Sequence, residues 1–214
     1  MKIVCISDTH NCGEQIRVPD GDLLIHSGDA TIKGTPEEVE RFAQWFRGLP
    51  HRHKIFVAGN HDWLFQRNND LGRRLLGDDI IYLQDSAVEI DGLKIYGSPW
   101  QPRFYDWAFN LDRGPEIAAK WRAVPDDIDI LITHGPPKGI LDHVPRADGF
   151  DHEGCEELSK RIKEIARTGR LRAHIFGHIH FGHGIVENDG VIFANASICN
   201  EDYLPLNPAL IIDL

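Results

Sequence analysis

Residues 1–11 read MKIVCISDTHN. Ile3 to Ile6 form an unbroken apolar run, which predicts a buried strand over Lys2–Ser7. The run then breaks into Ser7-Asp8-Thr9-His10. Side chains at i and i+2 of an extended chain point the same way, so Asp8 and His10 face one point just beyond the strand's C-terminal edge. Two readings fit that geometry: a loop with two solvated polar residues, or half of a metal site.

Four further apolar runs end in the same manner. Asp22–His26 runs into Ser27-Gly28-Asp29, and Lys54–Ala58 into Gly59-Asn60-His61-Asp62. Ile128–Thr133 runs into His134-Gly135-Pro136-Pro137, and His174–Phe176 into Gly177-His178-Ile179-His180. Ligands of α/β proteins gather at the carboxyl ends of strands, and five such endings in one chain weigh against solvated loops. Asp8, His10, Asp29, Asn60, His134, His178 and His180 offer carboxylate, imidazole and amide oxygen, with no thiolate. That donor set suits Mn, Fe or Zn rather than a Cys-rich structural zinc. It is too large for one tetrahedral ion and suits two ions about 3.5–4 Å apart that share a carboxylate. Gly28, Gly59 and Gly177 permit the tight turns such loops need.

The remaining elements frame these strand ends. Thr35-Pro36-Glu37-Glu38 is a helix start, with Thr35 as N-cap, Pro36 at the first helical position and Glu38 closing a capping box. Val39, Phe42, Ala43 and Phe46 follow at helical spacing, and Gly48-Leu49-Pro50 stops the helix. Ile80–Leu83 reads as a strand. Ala87–Ile90 and Leu93–Gly97 flank Asp91-Gly92, a hairpin signal. Glu153 to Arg167 has helical periodicity. Val191–Ala194 and Leu210–Leu214 read as late strands, the first paired across Asn188-Asp189-Gly190. This order predicts an α/β protein with layers around mixed sheets, and the length predicts one domain over residues 1–214.

The formal net charge of −10 argues against a polymeric nucleic-acid surface, which needs basic stripes. Small phosphate esters remain open, because bound metal supplies positive charge locally. No apolar run approaches the ~20 residues of a membrane span, and MKIVCI is too short for a signal-peptide core. Cys5, Cys12, Cys155 and Cys199 are scattered without metal-knuckle spacing, so they read as reduced thiols of a cytoplasmic protein, with Cys5 in the core.

In order along the chain, D-x-H (Asp8, His10), G-D (Gly28, Asp29), G-N-H-D (Gly59–Asp62), T-H-G-P (Thr133–Pro136) and G-H-x-H (Gly177–His180) resemble the calcineurin-like metallophosphoesterases. Gly97-Ser98-Pro99-Trp100, Leu131–Pro137, Asn195-Ala196-Ser197 and Asn207-Pro208 bring the resemblance closer to the small metallophosphoesterase-domain-containing (MPPED-like) group. The resemblance implies a four-layer α/β/β/α sandwich of two mixed sheets, with a dinuclear metal site at the strand C-terminal ends. It implies that Asp8, His10 and His180 hold one ion, that Asn60, His134 and His178 hold the other, and that Asp29 bridges them. His61 corresponds to the catalytic histidine, oriented by Asp62.

The activity so implied is metal-dependent hydrolysis of a small phosphoester, with a nucleotide-type phosphodiester as the expected substrate. Water held between two divalent or trivalent ions (Mn, Fe or Zn) would attack phosphorus in line, and His61 as imidazolium would protonate the leaving oxygen. A phosphomonoesterase or protein phosphatase on the same metal core is the alternative.

PWQPRFYDWAFN (Pro99–Asn110) is dense in aromatics. It reads either as a loop covering the core or as a lid whose rings stack on a nucleobase. Arg103 and Trp107 within it, and His183 after Gly182, are candidate substrate contacts. His26, inside a strand, reads as a core histidine. His51 and His53 read as solvated. Cys155 stands at a helix start with no chemical role assigned.

Overall fold

The computed structural model describes residues 1–214. In chain order the strands are β1 (Lys2–Ile6), β2 (Leu23–His26), β3 (His53–Phe56), β4 (Ile81–Tyr82), β5 (Ser86–Ile90), β6 (Leu93–Ser98), β7 (Gln101–Pro102), β8 (Asn110–Leu111), β9 (Ile130–Thr133), β10 (His143–Arg146), β11 (Gly149–His152), β12 (Ala173–Phe176), β13 (Gly184–Asn188), β14 (Val191–Asn195) and β15 (Leu210–Asp213). The α-helices are α1 (Pro36–Gly48), α2 (Trp63–Arg67), α3 (Asn69–Leu76), α4 (Pro115–Arg122) and α5 (Glu156–Ala166).

Two large sheets carry the fold. The first has the order β15-β1-β2-β3-β4, parallel except for β15. The second has the order β13-β14-β12-β9-β6-β5, with a parallel centre and an antiparallel hairpin at each edge. Alternation along the strands explains the stacking. Ile3, Cys5, Ile25 and Ile55 of the first sheet meet Ile95, Ile130, Ile132 and Ile175 of the second in one apolar layer. Val4, Ile6, Leu24 and Phe56 point the other way, under Phe42 and Phe46 of α1 and Phe65 of α2. Leu131, Phe176 and Phe193 pack outward against Ile117 and Trp121 of α4 and Leu158 and Ile162 of α5. The result is the expected four-layer α/β/β/α sandwich. Its inner strands are buried on both faces, which is why they read as continuous apolar runs rather than alternating ones.

Local signals place most boundaries. Glu38 N–H donates to Thr35 Oγ1 (3.3 Å) and Thr35 N–H to Glu38 Oε2 (3.1 Å), the capping box that starts α1. Asp91 (φ 49°) and Gly92 (φ 82°) turn the β5–β6 hairpin through two left-handed residues, as Asp-Gly favours. Two expectations are corrected. The late helix starts at Glu156 rather than Glu153, because Gly149–His152 pairs with His143–Arg146 as a hairpin. Cys155 caps that helix: its Sγ accepts from Leu158 N–H (3.4 Å) and from Trp121 Nε1–H (3.2 Å). His51 is buried rather than solvated, its Nε2–H donating to the Pro19 carbonyl (2.9 Å). All four cysteines are unpaired. No helix is long and apolar enough to cross a membrane.

The two sheets are stitched together at one end. Ser7, just past β1, forms a bridge with Ser197, just past β14. Ser7 N–H donates to Ala196 O (2.8 Å), and His178 N–H, past β12, donates to Asp8 Oδ2 (3.0 Å), past β1. The five strand endings singled out in the sequence therefore converge on one seam.

Candidate metal centre

Three groups of potential donors crowd that seam: Asp8, His10 and His180; Asp29, His134 and His178; and His10, Asp29 and His61. Within each group the donor atoms lie within 4.8 Å of one another. The first group is the set implied for one ion, and the second joins His134 and His178 of the other set to Asp29, the implied bridge. Asp29 Oδ2 stands between them, 3.4 Å from His134 Nε2, 3.9 Å from His10 Nε2 and 4.0 Å from His61 Nε2. Asn60 Oδ1 lies 2.8 Å from His134 Nε2, and His180 Nε2 lies 3.4 Å from Asp8 Oδ1. All seven candidate ligands thus meet in one place, with Asp29 at its centre.

The rings are aimed. The carbonyls of Thr31, Ser27 and Asn200 stand 3.2, 3.1 and 2.9 Å from Nδ1 of His10, His134 and His180 respectively. A carbonyl only accepts, so each Nδ1 carries a proton and each Nε2 is turned inward, the arrangement typical of metal-binding histidines. Asp8 is fixed as well: its Oδ2 accepts from Ser7 Oγ, from Ser197 Oγ (2.9 Å) and from His178 N–H (3.0 Å).

Two observations fit a cation to these donors. His10 Nε2 is buried with no partner, and leaving such a group unmade costs ~1–3 kcal/mol. The charge balance agrees. Burial alone would raise the Asp8 and Asp29 carboxyls, yet the surrounding histidines outweigh it and hold both well below the carboxylate range. Burial works against a charged imidazole in His134 and His180, yet the carboxylates Asp29 and Asp8 win and lift each to about 9. His10 falls to about 4 and His178 to about 3, mainly through burial. Protons on two imidazoles thus stand in for positive charge that the donor set lacks.

Backbone strain marks the same spot. Asp8 (φ 51°), His10 (φ 41°), Asp29 (φ 57°) and His178 (φ 69°) are all left-handed. Such residues cost about 1–3 kcal/mol each and persist only where the surroundings impose them. Of the neighbouring glycines, Gly28 (φ 114°) makes a turn, whereas Gly59 and Gly177 serve close approach. A Cβ on Gly177 would collide with Ser7 Oγ and Asp8 Oδ2, and one on Gly59 with Asp29 Oδ1.

The other candidates divide. His61 Nδ1–H donates to the Ile32 carbonyl (2.8 Å), which leaves Nε2 facing Asp29. Asp62 does not orient that ring, contrary to expectation. Its carboxylate accepts from Asp29 N–H (2.9 Å), Ala30 N–H (3.3 Å), Gly59 N–H (2.8 Å), Thr31 N–H (3.0 Å) and Thr31 Oγ1 (2.7 Å). It therefore ties the 59–62 turn to the 29–31 loop. Burial, with the Asp29 charge, raises Asp62 to about 6. Trp107 stacks on His61, ring centres 4.2 Å apart and 30° between planes, instead of lining the cleft. Arg103 does line the cleft, paired with Asp112 (2.6 Å). His183 does not; its ring lies against the Ser197 backbone. His26 is the core histidine expected, with Nε2 2.9 Å from Thr9 Oγ1.

A cleft of about 440 Å³ opens over His178 and His180, walled by Phe104, Tyr105, Phe181 and Tyr203. A larger one, about 580 Å³, lies behind α5 beside Lys163 and Arg167, and none of the donors above lines it. Sequence reasoning missed Tyr203, whose ring meets His10 edge-on at 4.6 Å. It sits in a stretch with no periodicity, far along the chain from Phe104 and Tyr105.

A family model described as calcineurin-like phosphoesterase matches residues 1–182. The chain belongs to the calcineurin-like phosphoesterases. Human metallophosphoesterase domain-containing protein 1 is 42% identical, in an alignment that spans all of this chain and 71% of the human one. More distant relatives are a probable cyclic nucleotide phosphodiesterase of Synechococcus (27% identical, 74% of this chain and 58% of that one) and a 3′,5′-cyclic-nucleotide phosphodiesterase of Nostoc (23% identical, 78% and 58%). Membership makes a hydrolase of phosphoric esters the coarse assignment, and the Asp/His clusters supply residues able to hold metal for it.

Proposed function

We propose that this calcineurin-like phosphoesterase is a two-metal phosphodiesterase acting on small nucleotide-type diesters. The observation that carries the proposal is Asp29, whose Oδ2 faces donors of both sets. Asp8, His10 and His180 would hold one ion, Asn60, His134 and His178 the other, and Asp29 both. Mn, Fe or Zn suits these oxygen and imidazole donors. Bound there, such ions supply charge for the phosphoryl oxygens and a nucleophile at neutral pH.

The chain's own residues do the rest. His61 is held by the Ile32 carbonyl and the Trp107 face with Nε2 toward the cluster. Protonated there, Nε2 would donate to the leaving oxygen, and the alkoxide would depart as an alcohol. Asp62 acts through the backbone, by fixing the turn that presents Asn60 and His61. The preference for a diester rests on the cyanobacterial relatives named for cyclic nucleotides. The charge of −10 supports a small substrate over a polymer. Four unpaired cysteines support a reducing, cytoplasmic setting.

The test is a phosphoester panel assayed after separate reconstitution with Mn, Fe and Zn. Faster hydrolysis of nucleotide diesters than of matching monoesters is expected. The opposite order would make the protein a phosphomonoesterase on the same residues. No hydrolysis with two ions bound would overturn the reading.

A further inference from the structure

We infer that Tyr105 and Tyr203 are two jaws of a clamp that takes a planar aromatic ring of the substrate above the candidate metal centre. The inference rests on the phosphoesterase reading and adds where the ester's organic group goes. Both tyrosines line the 440 Å³ cleft, yet they come from loops almost a hundred residues apart. Tyr203 stands beside one set of donors, its ring 4.6 Å from His10 and 5.9 Å from His180. Tyr105 packs edge-on against Phe104 (4.7 Å), whose ring in turn meets His178 (6.0 Å). One jaw thus serves each side of the cluster.

Both tyrosines are left-handed, Tyr105 at φ 46° and Tyr203 at φ 59°. For a bulky residue that is a genuine outlier, and burial does not compensate it: Tyr105 is 77% and Tyr203 44% exposed. Nor do the tyrosine side chains build their own turns. An asparagine does so in each loop. Asn110 Nδ2 donates to the carbonyls of Phe104 (3.2 Å) and Tyr105 (2.9 Å). Asn200 Oδ1 accepts from Asp202 N–H (3.1 Å) and Leu204 N–H (3.0 Å). Two caged turns therefore present two rings to the same cleft.

The ligand class is a phosphoester with one flat ring, such as a nucleobase. A cleft this size suits a single nucleotide, and base–aromatic stacking is worth ~1–3 kcal/mol per base.

The test compares two diesters with alkoxide leaving groups, adenosine 3′,5′-cyclic monophosphate and glycerophosphocholine, on metal-loaded protein. Tyr105→Ala and Tyr203→Ala are each expected to raise KM for the cyclic nucleotide roughly 5- to 150-fold. The corresponding phenylalanine variants, which keep the ring, should stay within about twofold. Glycerophosphocholine should lose far less. Equal losses on both esters would reduce the tyrosines to loop structure, and no loss on either would remove them from the site. If the wild type cleaves neither ester, the phosphodiesterase reading falls. Calorimetry with adenosine 5′-monophosphate against glycerol 3-phosphate then tests the clamp alone. Tighter binding of the nucleotide that is lost in both alanine variants keeps it, and equal binding of the two phosphates ends it.

Discussion

The floor and the rim of this site are built on opposite principles. On the floor, Asp8, Asp29 and His134 are buried, each fixed through atoms that do not face the centre. On the rim, Phe104, Tyr105, Phe181 and Tyr203 are exposed, and the turns carrying Phe104, Tyr105 and Tyr203 are held through backbone atoms. The floor has one permitted geometry because strand ends and close-packed glycines impose it. The rim can change its side chains without disturbing any strand. Chemistry common to a family belongs on the first, and choice of ester on the second.

The sharpest way to break this contrast is to change the charge at the centre of the floor. Asp29→Asn removes the carboxylate that faces both donor sets, whereas Asn60→Asp alters only one. Outer contacts of metal sites are worth roughly 10–100-fold, and Asp29→Asn should exceed that in metal retention and in rate. Elemental analysis decides. Two tightly held ions in that variant would show that the two sets are independent and that Asp29 bridges nothing.

Between floor and rim stands His61, and its loss should depend on the leaving group. His61→Ala should cost ~10²–10⁴-fold on a nucleotide diester and clearly less on a nitrophenyl diester, whose phenolate needs no proton. Trp107→Ala should show the same pattern at smaller scale, because it frees the ring it stacks on. Equal losses with metal intact would assign His61 to the phosphoryl oxygens instead.

Ser197→Ala tests the outer support of the floor. It deletes one of the hydroxyls that hold Asp8 Oδ2, and should weaken metal binding roughly 10–100-fold while nucleotide selectivity stays put. A change of selectivity with metal affinity intact would mean that floor and rim are coupled.

The same contrast explains what could be read from the sequence. The gathering of the candidate donors was legible because each donor cluster ends an apolar run, so position and chemistry are written in adjacent residues. Hairpins at Asp91-Gly92 and Asn188-Asp189-Gly190 were legible from turn chemistry. The β10–β11 hairpin was not: its residues are exposed or half-buried and leave no apolar alternation. The burial of His51 depends on Pro19, far away in the chain, and Tyr203 becomes part of a site only when its loop folds over His10. Asp62 misled for a local reason. Adjacent residues at a turn need not face one another, and its carboxylate had five backbone and hydroxyl donors closer at hand.

The smallest effect expected is on the fold itself. Three apolar layers exist without any contribution from the site, so metal removal should leave the circular dichroism spectrum unchanged, unlike in a zinc finger. Ions at 100-fold their dissociation constant add about 2.7 kcal/mol, which for a chain of this size is roughly 5–10 °C in melting temperature. The metal-free protein should also acquire its own pH dependence. His134 and His180 are raised from 6.5 to about 9 in the folded state. Their stabilisation is therefore full below pH 6.5 and is lost as pH rises through 9. His10 and His178 are lowered from 6.5 to about 4 and about 3. Their contribution is full above pH 6.5 and is lost as pH falls through those values. Melting temperature without metal should then peak near pH 6.5 and fall on both sides, and bound metal should flatten the alkaline side by replacing the protons. An alkaline limb that is equally steep with and without metal would mean that the ions do not bind at His134 and His180.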